Sequence, residues 1–304
     1  MTAVDLAPFT PGVHDDMPPD VYHADPVPGG SLSSTGARKL LAPSCPAKYR
    51  WWADHGQAAK KEFDLGHAAH SEVLGVGETV VVVDADSWRT KKAQAEAAEA
   101  RAADAVPLLT ATWQVVLDMA DALRAHPIAG PLFAPGTGRP ELSMFWHDTE
   151  FGVHRRARLD WVKDRIVTDY KTARSAAPDD CAKAMAEHGY GQQGDWYLTA
   201  GRELGLIGDD AAFLLVLQEK TAPYLVTVCE PDADALAAGR DLNRRALDVF
   251  ARCQASGVWP GYRVGAGSTD DQIVPLALPR WSAVQHEIAR ERGDFDTEAD
   301  TVQP

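Results

Sequence analysis

The feature that most constrains the fold is a change in hydrophobic period near residue 139. Upstream of it, apolar residues recur every three or four positions, as in an amphipathic helix. Downstream, "RPELSMFWH", "GVHRRARLDWVKD" and "RIVTDYKTA" alternate or are rich in β-forming residues, and the turn-like "DTEFG" and "KDR" separate them. The sequence therefore predicts three consecutive antiparallel strands between residues 139 and 173.

The elements on either side of these strands define the predicted fold class. Helical patterns fill most of residues 36–135, with one strand at "ETVVVVDA". Further helices are predicted at 179–188, 191–204 and 232–256, and two more strands at "AAFLLVLQE" and "YLVTVCEP". This order predicts an α/β (α+β) fold with one central mixed sheet, flanking helices and an N-terminal helical subdomain.

Length and composition give the domain organisation. The chain has 304 residues, and 45% of them are hydrophobic, which suffices for one large domain. We predict an extended arm over residues 1–35, which are rich in Pro, Gly, Asp and Ser, a single domain over 36–290, and an acidic tail over 291–304. Within the domain, the helical part covers about 36–135 and the sheet core about 139–256.

Charge and cysteine content narrow the function classes. A formal charge of −14 argues against a protein that coats nucleic acid by bulk electrostatics, but it leaves room for a local basic groove. The four cysteines are too scattered for a disulfide framework or a zinc or iron–sulfur site, so we expect buried reduced thiols. The N-terminus lacks the pattern of a signal peptide, and "AAFLLVL" is too short to span a membrane. We therefore expect a cytoplasmic protein without a membrane partner.

Two of the predicted strands carry charged side chains where core or bland surface residues would serve. Side chains alternate along a strand, so Asp169 and Lys171 point to one face and Tyr170 to the other. If the hairpin pairs around "KDR", the carboxylate of Asp160 joins them, and Glu141 on the strand before offers a further carboxylate. The sequence thus predicts a cluster of acidic groups around one lysine.

The preceding strand follows the same parity. It places Arg156 and Arg158 on the face of Asp160. The opposite face is expected to carry Val153, Arg155, Ala157, Leu159 and Trp161. The two arginines are candidate phosphate contacts, although arginines on strands also serve as solvated edges.

Clustered carboxylates repel one another, and each pair raises one pKa unless a cation lies between them. Oxygen ligands of this kind suit Mg²⁺ or Mn²⁺. We therefore predict a site for one or two divalent ions, at which Lys171 orients water or offsets charge on a phosphate. The alternative is a solvent-facing hairpin with cross-strand ion pairs.

Two helical motifs accompany the carboxylates. "LGHAAH" offers His67 and His70 on roughly one helix face, and Gln193 and Tyr197 in "QGDWY" share a face at i and i+4. Each motif has a structural alternative, because a lone histidine is often a core residue and the Gln/Tyr pair could be a polar patch facing solvent.

The strand motif resembles a known nuclease core. Asp160, followed on the next strand by Asp169, Tyr170 and Lys171, is similar to the acidic residue and Asp-x-Lys of the PD-(D/E)XK superfamily. The proline of that name is absent, and Leu159 stands in its place. The resemblance implies a restriction-endonuclease-like core.

The helical motifs narrow the resemblance to the RecB and RecE exonuclease branch. "LGHAAH" is similar to its Gly-x-x-x-His motif, which selects His70, and "QGDWY" to its Gln-x-x-x-Tyr motif, which selects Gln193 and Tyr197. Residues 22–52 resemble the entry segment of phage-type RecE-like exonuclease domains, and the whole resemblance extends over about 22–262. Relatives that bear iron–sulfur clusters have grouped cysteines, a pattern this sequence lacks, so no cluster is expected.

The resemblance implies a Mg²⁺-dependent exodeoxyribonuclease. It would digest linear double-stranded DNA from its ends, 5′ to 3′, and leave 3′ single-stranded overhangs for recombination by single-strand annealing. Lys171 would position the attacking water, and Gln193 and Tyr197 would hold the substrate strand. One or two metal ions would be held by His70, Glu141, Asp160, Asp169 and the Tyr170 backbone carbonyl.

The resemblance also implies partners and leaves alternatives. Relatives of this type form rings around DNA and work beside a RecT-like single-strand annealing recombinase, which implies a homo-oligomer encoded by a phage or prophage in a bacterial host. The alternatives are a structure-selective endonuclease, a helicase-linked nuclease module, and a catalytically silent DNA-binding or phage assembly protein. The candidate DNA contacts are Arg156, Arg158, Arg174, Lys60 and Lys61.

Overall fold

The computed structural model describes residues 10–56, 64–262 and 273–295, and the structural statements below concern these residues. They fall into two compact units, one that ends at Gly261 and one that begins at Tyr262. The predicted bounds of arm, domain and tail stay a prediction. None of the described helices is both long and apolar enough to cross a lipid bilayer.

The first unit contains a seven-stranded sheet and a two-stranded sheet. In chain order their strands are β1 (Gly12–His14), β2 (Leu32–Ser33), β3 (Val80–Val83), β4 (Val106–Leu109), β5 (Arg139–Asp148), β6 (Val153–Lys163), β7 (Ile166–Ala173), β8 (Ala212–Glu219) and β9 (Val226–Cys229). The helices of the described residues are α1 (Pro19–His23), α2 (Ser34–Leu40), α3 (Pro46–His55), α4 (Asp64–Leu74), α5 (Lys91–Ala102), α6 (Thr110–Ala125), α7 (Ala129–Leu132), α8 (Pro178–His188), α9 (Tyr190–Glu203), α10 (Ala233–Ser256) and, in the second unit, α11 (Arg280–Glu291).

The large sheet is mixed, which confirms the predicted α/β fold class. Its strand order is β1-β5-β6-β7-β8-β9, and β2 pairs with β6 outside this path. The strands β5, β6 and β7 form the predicted antiparallel meander, β8 joins β7 in parallel, and β9 pairs antiparallel with β8. Strand β6 changes partner along its length, because β2 pairs at Arg155 and Arg156 and β7 pairs only from Trp161 onward.

Helices cover both faces of this sheet, and each face has its own hydrophobic cluster. The first cluster joins the sheet to α2, α9 and α10 and includes Leu159, Trp196, Phe213 and Phe250. The second cluster joins the sheet to α4 and α6 and includes Leu74, Met119, Trp161 and Tyr170. The arrangement is the one expected of a restriction-endonuclease-like fold, in which a mixed sheet lies between helical layers.

Local capping explains where several helices begin and end. Helix α2 follows Ser33, whose Oγ accepts a hydrogen bond from the backbone N of Gly36 at 3.1 Å. Helix α10 follows Asp232, whose carboxylate accepts one from the backbone N of Ala235 at 2.8 Å. It ends before Gly257, which adopts the left-handed conformation with φ of 70°.

The segment predicted as an extended arm packs onto the sheet. Residues 12–14 pair with β5 as β1, and α1 buries Tyr22 beside Phe145, with ring centroids 5.7 Å apart. Asp25 then folds the following turn, because its carboxylate accepts hydrogen bonds from the backbone N and the Oγ of Ser31, each at 2.7 Å. Proline and glycine content alone did not indicate these contacts, since they depend on partners far along the chain. Residues 1–9 of the predicted arm and 296–304 of the predicted tail lie outside the described residues.

Strand β4 and helix α11 are also absent from the sequence-based expectation. Strand β4 pairs in parallel with β3 to form the small sheet, and its four residues include Pro107, which lacks a backbone donor and weakens the strand signal. Helix α11 follows a proline at its N-cap and has apolar residues spaced three and four apart at Trp281, Val284 and Ile288. That spacing is the signal that could have predicted it.

The predicted face assignment along β6 is wrong after Asp160. Leu159 packs in the first cluster and Trp161 in the second, although simple alternation places both on one face. The pairing of β5 with β6 is interrupted where Glu141 lies opposite Asp160, and Glu141 has a left-handed φ of 49°. A residue with this backbone conformation breaks the two-residue period of its own strand, and the exchange of faces on β6 occurs directly opposite it.

A buried hydrogen-bond chain links β7, β8 and α6. The hydroxyl of Tyr170 donates to Oε1 of Gln218 at 2.7 Å, and Nε2 of Gln218 donates to the carbonyl of Met119, also at 2.7 Å.

We expect Tyr170→Phe to lower the free energy of unfolding by about 1–3 kcal/mol, because the buried Oε1 of Gln218 loses its donor. Urea unfolding followed by circular dichroism measures this change, and an unchanged free energy would contradict the stabilising role of the chain.

Candidate metal centre and active site

Asp160 and Asp169 lie where β6 and β7 separate. The pairing of the two strands reaches Trp161 opposite Thr168 and stops there, so the two aspartates occupy the next positions on each strand. The Asp160 carboxylate bridges the gap, because its Oδ2 accepts a hydrogen bond from the backbone N of Tyr170 at 2.9 Å. A side chain thus satisfies a backbone donor that the diverging strands leave without a ladder partner.

Helix α4 brings His70 to two carboxylates of the sheet. Its Nε2 lies 3.0 Å from Oδ2 of Asp160, and its Nδ1 lies 3.4 Å from Oε1 of Glu141. One potential ligand atom from each of these three residues lies within 4.8 Å of the other two. His67 has a different neighbour, since its Nδ1 lies 3.1 Å from Oε2 of Glu78. Of the two histidines in the motif, His70 is therefore the one that meets the carboxylates.

Glu141 reaches this position from a strained backbone. A left-handed φ in a residue other than glycine costs roughly 1–3 kcal/mol and persists only where the surrounding structure enforces it. The two oxygens of Glu141 have different neighbours, because Oε1 faces His70 and Oε2 forms an ion pair with Nε of Arg158. Such strain is typical of functional sites.

Burial and neighbouring charges separate the pKa values of the two aspartates. Burial raises the pKa of Asp160, but the charges of His70 and Lys171 and two hydrogen bonds outweigh it and lower the value to about 2. Burial and the Asp160 charge raise the pKa of Asp169 to about 6, although Lys171 opposes them. Burial lowers the pKa of His70, but the carboxylates of Asp160 and Glu141 more than compensate and raise it above its usual value.

Lys171 forms an ion pair with the fully buried Asp169. Its Nζ lies 2.5 Å from Oδ2 of Asp169, with both side chains on the same face of β7. Burial lowers the pKa of Lys171, but the carboxylates of Asp169 and Asp160 raise it above its usual value. The ammonium group is thus held protonated beside the carboxylate cluster.

Gln193 and Tyr197 contact the same aspartate from α9. Nε2 of Gln193 donates to Oδ1 of Asp169 at 2.8 Å and lies 2.9 Å from the Tyr197 hydroxyl. Gln193 is only 5% exposed, so the pair is not a polar patch facing solvent. The resemblance implies that the pair holds the substrate strand, whereas in the described residues Gln193 contacts Asp169.

The chemistry of the donor set fits a hard divalent cation. Carboxylate oxygens are preferred ligands of Mg²⁺ and Mn²⁺, and Mg²⁺ holds its oxygen ligands at about 2.0–2.1 Å. The three potential ligand atoms lie within 4.8 Å of one another, so small shifts would let them share one ion. Asp169 is not part of this trio, because its carboxylate faces Lys171 and Gln193. The predicted roles of Asp169 and of the Tyr170 carbonyl as metal ligands stay predictions.

The arginines predicted to contact phosphate are engaged inside the protein. Arg156 is 7% exposed, forms an ion pair with Asp25, and its Nη1 donates to Oγ of Ser31 at 2.9 Å. Arg158 forms the ion pair with Glu141. A DNA phosphate would have to displace these contacts, which parity along β6 did not indicate.

The remaining candidate DNA contacts differ in position. Arg174 is exposed and follows β7 directly, three residues beyond Lys171. Lys60 and Lys61 lie outside the described residues. Ser143 was not among the predicted site residues, and its Oγ accepts a hydrogen bond from Nη1 of Arg158 at 2.7 Å. Its position two residues after Glu141 on the same strand was the available signal.

A solved structure has a similar fold. A crystal structure of a "Putative exonuclease" from Eubacterium rectale is similar over 88% of this chain and 98% of that chain, with a TM-score of 0.61 and 12% sequence identity. At that identity the likeness concerns the fold alone. The structure of SSO0001 covers 63% of this chain and 87% of its own, with 16% identity and a TM-score of 0.27, too low to carry an argument. Among curated proteins, none matches the chain significantly.

A family model matches most of the chain. Residues 43–270, well over half of the chain, match the model described as a PDDEXK-like domain of unknown function (DUF3799). This range contains the histidine, the three acidic residues and the lysine of the candidate site. The chain therefore belongs to the PDDEXK-like family DUF3799.

Proposed function

We propose that this protein is a metal-dependent nuclease that hydrolyses phosphodiester bonds of DNA. Membership of a PDDEXK-like family supports a nuclease hydrolase. The observation that carries the proposal is the convergence of His70, Glu141 and Asp160 near the buried pair of Asp169 and Lys171. Carboxylates with strongly separated pKa values around a lysine favour a catalytic role over a structural one.

Each residue has a defined part in this reaction. His70, Glu141 and Asp160 would hold the divalent ion, which when bound polarises a phosphoryl oxygen and lowers the pKa of water. Lys171 donates a hydrogen bond to the attacking water or to a phosphate oxygen, and Asp169 holds its ammonium group in place. In the overall reaction, water adds to phosphorus, the bond to the 3′ oxygen breaks, and that oxygen takes up a proton.

The finer proposal is an exonuclease that digests linear duplex DNA 5′ to 3′ with Mg²⁺ and leaves 3′ overhangs for a single-strand annealing recombinase. It is supported by the His70, Gln193 and Tyr197 motifs, which resemble the RecE branch. A ring-shaped homo-oligomer in the bacterial cytoplasm would fit the net negative charge if basic residues line its bore.

The test is digestion of linear duplex DNA labelled at the 5′ or the 3′ end. We expect early, Mg²⁺-dependent loss of the 5′ label, its abolition by EDTA, and resistance of covalently closed circles. Asp160→Asn should abolish this digestion. Asp164→Asn is its matched control and should digest DNA like wild type, because Asp164 is exposed in the turn between β6 and β7. Cleavage of closed circles would instead indicate an endonuclease. If the protein cleaves no DNA with either Mg²⁺ or Mn²⁺, and calorimetry shows no Mn²⁺ binding, it would be a catalytically silent DNA-binding protein.

Gln193 should matter for activity through Asp169. We expect Gln193→Met to lower the rate of DNA hydrolysis by about 10–100-fold, because loss of a hydrogen bond that orients an active-site group has effects of this size. Gln192→Met is the matched control, since Gln192 is buried on the same helix. Its backbone carbonyl, which the substitution keeps, accepts a hydrogen bond from Nδ2 of Asn243. Equal rates for the two variants would contradict the orienting role of Gln193.

A further inference from the structure

We propose that Arg158 is a positioning residue that holds Glu141 as a ligand through one oxygen only. The two oxygens of Glu141 are divided between different neighbours, with Oε1 3.4 Å from Nδ1 of His70 and Oε2 bonded to Nε of Arg158. A carboxylate can bind a cation with one or both oxygens. Arg158 withholds the second oxygen from the metal centre. The inference rests on the proposed function, since it presupposes a metal at this site.

The guanidinium of Arg158 is itself fixed on its other side. Its Nη1 donates to Oγ of Ser143 at 2.7 Å and to the carbonyl of Met17 at 2.9 Å. Ser143 lies directly opposite Arg158 in the pairing of β5 with β6, so the sheet register sets this contact. The side chain of Arg158 is only 12% exposed. A planar guanidinium can make these bonds in several directions at once, which a lysine ammonium on a flexible stem cannot reproduce.

The backbone of Glu141 does not fix the direction of its side chain, so the carboxylate depends on Arg158 for its orientation. In a regular strand, alternation fixes the direction of each side chain, but the left-handed φ of Glu141 breaks the alternation at this residue. The bond to Arg158 therefore fixes the rotation of the carboxylate. Its loss would leave the Glu141 carboxylate free to rotate away from the direction in which Oε1 faces His70 and the metal site.

A purely electrostatic role for Arg158 makes the opposite prediction. A cation next to a metal ligand repels the metal, so its removal would strengthen metal binding by Coulomb's law. A positioning role predicts weaker binding after the same change, because the ligand loses its orientation. The sign of the change in metal affinity therefore separates the two roles.

The experiment is calorimetric titration of the metal-free protein with Mn²⁺. We expect Arg158→Gln and Arg158→Lys to bind Mn²⁺ about 10–100-fold more weakly than wild type. Ser143→Ala, which keeps both charges, should weaken binding less but in the same direction. Arg165→Gln is the matched control, because this exposed arginine pairs with Asp210, 2.7 Å away, and should bind like wild type.

Thermal unfolding of each variant establishes that it is folded, and Ser143→Ala carries the test if the Arg158 variants do not fold. Wild-type affinity in folded Arg158→Lys, or tighter binding by Arg158→Gln, would overturn the positioning role while leaving the nuclease proposal standing. If the Arg158 variants do not fold, wild-type Mn²⁺ affinity in folded Ser143→Ala would overturn the positioning role of Arg158. Absence of Mn²⁺ binding by the wild type would overturn both proposals.

Discussion

Replacing Lys171 with methionine should lower the rate of DNA hydrolysis by about 10²–10³-fold, the effect of removing one donor that stabilises developing charge. Methionine keeps most of the apolar stem and removes the ammonium group that lies 2.5 Å from Asp169. The fully buried Asp169 then loses its counter-ion, so its pKa, already raised to about 6, should rise further and favour the neutral acid. The substitution therefore also lowers the free energy of unfolding at neutral pH, and circular dichroism establishes that the variant is folded before its rate is compared.

Single-turnover rates at saturating Mg²⁺ and duplex DNA measure this effect. The matched control is Lys163→Met, because Lys163 lies at the end of β6 and its Nζ donates to the carbonyl of Pro131. We expect Lys163→Met to retain the wild-type rate. A Lys171→Met enzyme within a few-fold of wild type would mean that the lysine only balances the charge of Asp169 and does not act on the substrate.

Asp160→Asn should abolish activity by a still larger factor, about 10³-fold or more, because a metal ion contributes several kcal/mol of charge stabilisation to such reactions. Oδ2 of Asp160 lies 3.0 Å from Nε2 of His70 and accepts the hydrogen bond of the Tyr170 backbone N. Asparagine has the same shape and can still accept that bond, but it lacks the negative charge that attracts a cation. The substitution should therefore remove metal binding and leave the fold intact.

Two measurements check this expectation on the same protein. Calorimetry should show loss of Mn²⁺ binding, and circular dichroism should show a wild-type spectrum. Asp164→Asn removes a negative charge of the same kind from an exposed turn and should leave both metal binding and hydrolysis unchanged. Retention of Mn²⁺ binding and activity by Asp160→Asn would place the metal elsewhere.

Much of the sheet and several site contacts followed from local patterns. The three meander strands were predictable because each combines β-forming residues with a turn of polar residues. The resemblance to the Gly-x-x-x-His motif, with Gly66 as its glycine, selected His70, and the structure brings that histidine to the carboxylates. The strand predictions rest on patterns that operate within a few residues, and the choice of histidine rests on the motif.

The features that escaped prediction depend on contacts across the fold. Nothing local in "ARLD" shows that Arg158 turns inward to Glu141 instead of outward to a phosphate, because a strand face can meet solvent or another element. The exchange of faces between Leu159 and Trp161 lies opposite the left-handed Glu141 of the neighbouring strand, and no residue pattern within β6 indicates it. Arg156 is similarly occupied by a turn of the N-terminal segment.

The change of partner along β6 has a consequence for how the chain folds. Arg156 hydrogen bonds to Ser31, 125 positions earlier, while Gln193 reaches Asp169 from a helix made later in synthesis. Closing such long loops carries an entropic cost that only the assembled sheet repays, so non-local contacts of this kind form late. A chain emerging from the ribosome cannot complete the site before α9 and β8 have left the exit tunnel. Any hydrolytic activity would therefore begin only once translation has passed β8, and fragments that stop before α9 should be inert.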